Sequence, residues 1–303
     1  MTKSLKARGM VCALASAFFF GVTPFWGKST FLLGSNSTNL VFFRSLLALP
    51  FLAFLALRKG GTLYLPRQGR GSALLGGVFM GITTLMLYAA YYDVSIGIAT
   101  TLHFTYPLVV ALLGRLFFKE KLPWRTWAAL GVSVAGVSLL AEGGEEAGLM
   151  GMVLALGSGV VFAGYIMCMH APSLQGTPSF TLAFYACLAS AVVAGVFGLC
   201  TGQLVWNMPV KAYLLTFAVS LGAMVLAMTL LQCGVRWAGA MYASALSLLE
   251  PLTGVAIGVL CFGEGFSLYG GLGCAMVLLG VGVIVLWDLR PGQARKKGKG
   301  QEF

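Results

Sequence analysis

The sequence predicts an all-α integral membrane protein of ten transmembrane helices in two inverted five-helix repeats. The first observation is composition. Of 303 residues, 58% are hydrophobic and 10% charged, with a mean hydropathy of +0.89, whereas a soluble domain carries about 25% charged residues. The second is a series of apolar stretches of roughly the 20 residues that a membrane helix needs. They fall at 9–27, 39–57, 72–92, 97–117, 124–141, 148–169, 179–199, 212–233, 239–261 and 267–287. The third is internal repetition. A shift of 144 positions carries Pro107 onto Pro251, Gly114 onto Gly258, Phe118 onto Phe262, Glu120 onto Glu264 and Gly136 onto Gly280. Near the start of each half the shift is 142, carrying Ala13, Ala17 and Gly21 onto Ala155, Gly159 and Ala163, and Phe20 and Phe42 onto Phe162 and Phe184. Five spans per half force the second copy to enter the membrane from the opposite side, an architecture recurrent in secondary transporters. The halves are 1–143 and 144–289, followed by a basic tail, 290–303.

The first span follows Lys3, Lys6 and Arg8 in the manner of a signal peptide. Its repeat partner lies mid-chain at 148–169, so it reads as a retained helix. In both, small residues recur every fourth position and mark a face for close backbone packing, a structural role. The second span carries Phe42-Phe43-Arg44, and the Lys/Arg/Gly-rich segment 58–71 joins it to the third, which holds Tyr88, Tyr91 and Tyr92. The fourth has a stripe of Thr100, His103, Pro107 and Gly114. The fifth runs into the acidic segment beginning at Glu142, which joins the halves. In the second half the ninth span repeats the fourth, with Ser244, Ser247, Glu250 and Gly254 on one face. Glu120 and Glu264, each in a Phe-x-Glu ending, read as caps or salt-bridge partners.

The net charge of +11 suits topology better than nucleic-acid binding. With the N-terminus in the cytoplasm, almost every Lys and Arg falls in an inner loop or tail. Lys28 and Lys211 alone lie outside, together with Asp93, Glu142, Glu145 and Glu146. This is the positive-inside pattern, and an even span count places both termini on the inner side. Seven cysteines lie scattered without a CxxC pair, and there are two histidines, so neither a disulfide framework nor a metal centre is expected. No phosphate loop or nucleotide fingerprint occurs, which argues against ATP-driven pumping, and no cofactor is expected.

Arg44, His103 and Glu250 are the polar groups placed deepest in the spans. A charge at bilayer depth costs about 2.5–3.5 kcal/mol and faces a cavity or a partner. Glu250 is the foremost candidate for substrate or proton binding. Arg44 is either its buried counter-ion or the anchor for a substrate carboxylate, and His103 is either a ligand or a packing histidine. Tyr106 occupies the repeat position of Glu250, and each precedes a proline, Pro107 or Pro251, that removes a backbone donor and hinges the helix. A broken helix at that depth is tolerated where it lines a cavity. Ser244 and Ser247 share the Glu250 stripe. Among the aromatics, Tyr88, Tyr165, Tyr242 and Trp26 are the candidates to stack on a substrate.

Two blocks bring a family into view. Tyr106-Pro107-Leu108, Leu116 to Glu120 and Gly136-Val137 match Glu250-Pro251-Leu252, Leu260 to Glu264 and Gly280-Val281. With Phe42-Phe43-Arg44 and the Gly-x-x-Pro-x-Trp-Gly run at 21–27, the chain resembles the EamA family of the drug/metabolite transporter superfamily along its whole length. The resemblance implies a central cavity lined mainly by the first, third, fourth, sixth, eighth and ninth helices, with the fifth and tenth peripheral. It also implies export of amino acids or other metabolites. Ala186 stands opposite Arg44, so any site is asymmetric. The expected function is a secondary transporter exporting an amino acid or similar small amphipathic metabolite across a bacterial inner membrane. The expected partners are a small-molecule substrate, membrane lipids and, if Glu250 carries them, protons, with oligomeric state left open. An integral membrane enzyme, which would need paired catalytic groups near one interface, and a non-transporting sensor are the alternatives.

Overall fold

The computed structural model describes residues 3–58, 61–94, 96–118, 122–140, 148–262 and 268–289. The expected caps Glu120 and Glu264, the acidic segment 142–146 and the tail from Arg290 lie outside the described residues. All regular structure among the described residues is helical, as a chain must be that satisfies its backbone within a bilayer segment by segment. The helices are α1 (Lys3–Phe31), α2 (Ser37–Leu57), α3 (Arg67–Ala90), α4 (Ile96–His103), α5 (Tyr106–Phe117), α6 (Trp124–Leu140) and α7 (Leu149–His170). They continue as α8 (Ser179–Thr201), α9 (Val210–Val219), a π-helical segment (Ser220–Ala227), α10 (Met228–Ala238), α11 (Ala240–Ser247), α12 (Glu250–Phe262) and α13 (Leu268–Leu289). Seven stretches among them are long and apolar enough to cross a membrane.

Two expected spans are each broken in two. The fourth becomes α4 and α5, and the ninth becomes α11 and α12. The prolines are the physical cause. Pro107 has no N–H for the carbonyl of His103, and Pro251 none for that of Ser247. The residue before a proline is also pushed away from helical geometry. Both breaks close with the same tight turn, Thr105 N–H to Leu102 O at 3.3 Å and Leu249 N–H to Leu246 O at 3.1 Å. These bonds are 144 residues apart, as are the helix ends on either side. The eighth span is longer than 212–233, running from Val210 to Ala238 with the π turn inside it. Gly239, at φ 99°, separates α10 from α11, a conformation L side chains rarely adopt.

Packing pairs α1 with α10, α2 with α8, α3 with α7, and α6 with α13. Several contacts recur with the numbers exchanged. A Cβ on Gly136 of α6 would lie 2.7 Å from Gly273 O, and one on Gly280 of α13 would lie 2.5 Å from Ala129 O. Gly9 of α1 abuts Trp237 and Ala238 at the end of α10, while Gly151 of α7 abuts Asp93 and Val94 just past α3. Thus α1 begins beside the end of α10, and α7 begins beside the end of α3. The small-residue faces serve packing: Ala13, Ala17, Ala155 and Ala163 are buried. Gly21 meets the carbonyl of Glu250, and Gly159 that of His103. Each of α1 and α7 is therefore seated against one helix break.

Candidate functional site

One cavity gathers the polar groups at the breaks. Phe20 and Thr23 come from α1 and Arg44 from α2, and α3 and its C-cap supply Met80, Thr83, Thr84, Leu87, Tyr88 and Tyr91. Thr100, His103, Phe104 and Tyr106 come from α4, α5 and the turn between them, Phe162 from α7 and Glu250 from α12. The lining uses the C-terminal parts of α1 and α3 and the N-terminal part of α2, so the cavity occupies the end of the bundle at which α7 begins. It encloses about 730 Å³ with its mouth included.

Arg44 is 4% exposed. Its Nη1 donates to the Tyr88 hydroxyl at 2.9 Å, and its Nε has no partner. The guanidinium carbon lies 5.3 Å from the centre of the Tyr88 ring. The backbone beneath is pinned by Ser220, whose hydroxyl donates to Arg44 O at 2.7 Å. Glu250 opens α12, where the helix N-terminus favours a negative charge. No ion pair within 4.0 Å joins Arg44 to Glu250 among the described residues.

His103 ends α4 and is 8% exposed. Its Nδ1 lies 2.9 Å from Ser158 Oγ, whose own proton goes to Ala155 O at 2.6 Å. Ser158 therefore accepts, Nδ1 donates, and Nε2 is the ring nitrogen left to accept a proton or a hydrogen bond. The imidazole, Tyr106 and Phe162 make a continuous aromatic wall, with ring centres 5.4 Å and 4.7 Å apart along it. Tyr106 approaches the Ser247 hydroxyl, linking the two breaks.

Of the residues singled out from the sequence, Arg44, Tyr88, His103, Tyr106 and Glu250 line this cavity together. Ser244 and Ser247 are not among its lining residues. Both are buried, and their hydroxyls donate to their own helix, at Met241 O and Ala243 O. Tyr165 is fully buried, donating to Met228 Sδ at 3.1 Å and accepting from Gln232 Nε2. Tyr242 lies under the Lys6 ammonium, 3.8 Å from its ring centre, and Trp26 is 42% exposed. Pro107 follows directly on one break and Pro251 on the other. Sequence reasoning missed Thr83 and Thr84. The available signal was the spacing of Met80, Thr83, Thr84, Leu87, Tyr88 and Tyr91, which is one helical face.

A family model described as the EamA-like transporter family matches residues 7–141 and again 149–286. The chain is 24% identical over 286 residues to an uncharacterized transporter, sll1319, of Synechocystis sp., covering 88% of this chain and 84% of that one. It is 28% identical over 283 residues to the uncharacterized transporter YwfM of Bacillus subtilis, covering 89% and 91%. It is 30% identical over 165 residues to the threonine/homoserine exporter RhtA of Escherichia coli, a match spanning 53% of each chain. A solved crystal structure superposes with a TM-score of 0.80 at 16% identity, covering 93% of this chain and 98% of the other, a likeness of fold.

Proposed function

The chain belongs to the EamA-like transporter family, and from that premise we propose that it exports an amino acid or similar small amphipathic metabolite by alternating access. The observation that carries this reading is a guanidinium, Arg44, and a carboxyl group, Glu250, lining one cavity with no ion pair between them. A zwitterion brings a carboxylate for the guanidinium, whose Nε is unspent, and an ammonium for Glu250. The aromatic wall and the threonines of α3 suit the remainder of such a ligand. The name of RhtA as a threonine/homoserine exporter supports an amino acid as cargo and export as direction.

The scaffold proposed is ten spans in two inverted five-helix halves, 1–143 and 144–289. Here α4 with α5, α9 with α10, and α11 with α12 each count as one span. The matched breaks, the exchanged contacts and the double family match support it. Charge asymmetry supports both termini, including the tail 290–303, in the cytoplasm of a bacterium. Pro107 and Pro251 then lie where one half pivots on the other. Covalent catalysis needs a nucleophile activated by its base. Ser158 beside His103 is fully buried and its proton points to Ala155 O, away from the imidazole.

Purified protein in liposomes preloaded with labelled L-threonine, L-homoserine, a sugar or a nucleoside tests the reading. Amino acid efflux is expected, and Glu250→Gln should weaken it at least tenfold, by removing the charge that meets the ammonium. If Glu250 also carries protons, the variant loses accumulation driven by a proton gradient and keeps exchange. Efflux of the sugar or nucleoside alone, or unchanged amino acid efflux in Glu250→Gln, would overturn it.

A further inference from the structure

We propose that Gln232 and Tyr165 form the ligand site of the opposite conformational state, where Gln232 Oε1 accepts a hydrogen bond from an ammonium or hydroxyl of the cargo. The proposal rests on the two-half reading above. The exchanged contacts set the register between the halves. Gly9 and Gly151 are 142 residues apart, so Thr23 of α1 corresponds to Tyr165 of α7. Their partners Asp93 and Trp237 are 144 apart, so Tyr88 of α3 corresponds to Gln232 of α10. By the same register Thr84 corresponds to Met228, and Leu87 to Leu231.

The first member of each pair lines the open cavity. The second members are all buried, packed on one another toward the opposite end of the bundle. The closed half is therefore the counterpart of the cavity, filled by side chains. Within it Gln232 is 1% exposed. Its Nε2 donates to Tyr165, which donates on to Met228 Sδ, and its Oε1 has no partner. An unmet buried acceptor costs about 1–3 kcal/mol. Leucine at this position would remove that cost. The carboxamide has a use if this half opens. Oε1 is an acceptor, so it selects a donor on the ligand.

The two states then hold cargo differently. Ala186 stands where Arg44 stands in the other half, so the alternate site offers neutral groups and no guanidinium. Binding from the face at which α1 begins should be about tenfold weaker than from the other face.

Gln232→Cys, read by mass spectrometry at that position, tests this in membrane vesicles of either orientation. Cys12 and Cys233 are replaced by Ser, and a membrane-impermeant maleimide is the reagent. Labelling is expected only from the face at which α1 begins. In Met228→Cys, which keeps Gln232, a mixture of the twenty common amino acids should slow labelling at least threefold, the same concentration of short-chain monocarboxylates should not, and adding Gln232→Leu should remove the protection. Met228→Cys, one turn away on the same face, is the second probe should Gln232→Cys fail to fold. Tyr88→Cys is the control, expected to label only from the opposite face. No labelling at 232 and 228 from either face overturns the alternate site and leaves the open cavity standing. Labelling at 228 that the amino acids do not slow, or slow equally with and without Gln232→Leu, overturns the ligand role of Gln232. Labelling of 88 and 232 from the same face overturns the inverted-half reading itself.

Discussion

Replacing Arg44 by methionine should stabilise the empty protein while ending its affinity for carboxylates. The guanidinium is 4% exposed, makes a single side-chain hydrogen bond, to Tyr88, and leaves Nε unpaired. Holding arginine at bilayer depth costs about 2.5–3.5 kcal/mol. A hydrogen bond to a charged group returns about 1.5–3 kcal/mol. The difference places Arg44→Met between about 0.5 kcal/mol less and about 2 kcal/mol more stable than the parent, with Tyr88 free to bond water in the cavity. Were Arg44 a buried counter-ion, its removal would strand a carboxylate and cost about 3–5 kcal/mol. The two roles therefore differ in sign. Thermal unfolding of the detergent-solubilised protein, with and without amino acids at saturating concentration, measures both parts. An unchanged or higher midpoint, together with loss of the ligand-induced rise, is expected. A midpoint several degrees lower in Arg44→Met would refute the reasoning, because it would reveal a structural partner.

Gly159→Ala should lower stability by about 1–2 kcal/mol. Its Cβ would lie 2.7 Å from His103 O, which is backbone and has no rotamer to escape into. Gly131→Ala, with nothing within 4 Å, should be neutral or gain up to about 1 kcal/mol of helix propensity in the same unfolding assay. The thiols of Cys12 and Cys233 lie within hydrogen-bonding reach across α1 and α10. Mild copper-catalysed oxidation should join them, each giving up a proton and an electron to the oxidant. Transport should then arrest until dithiothreitol is added. Full transport by the cross-linked protein would show that α1 and α10 need not part at that end.

The breaks in the bundle were legible because Pro107 and Pro251 act locally, through a missing donor that any helix must register. Tyr106 and Glu250 followed, since they sit beside those prolines. The facing of hydroxyls was not legible. Ser244 and Ser247 looked like a polar stripe, yet each bonds a carbonyl of its own helix and needs no cavity. Thr84 does the same, donating to Met80 O at 2.8 Å, and still borders the cavity. Hydroxyl position alone therefore carries little information about what a helix face meets. Tyr165 and Trp26 were chosen by span position, which says nothing about whether a side chain meets the cavity or its neighbours.

The π turn between α9 and α10 has a consequence for what the chain can absorb. At its first residue, Ser220 bonds Arg44 O much as Gly77 abuts Ala186, positions 143 residues apart. After it, Ala90 and Gly234 are 144 apart, the former against Gly151 and the latter against Gly9 and Ala13. One more residue has entered the later stretch, and the wide turn holds it. In a plain α-helix each added residue rotates everything downstream by about 100°. Gln232 and Gly234 would then face lipid, and α1 would lose the surface it packs on. A single loosened turn thus lets this stretch lengthen while its inward-facing residues stay in place.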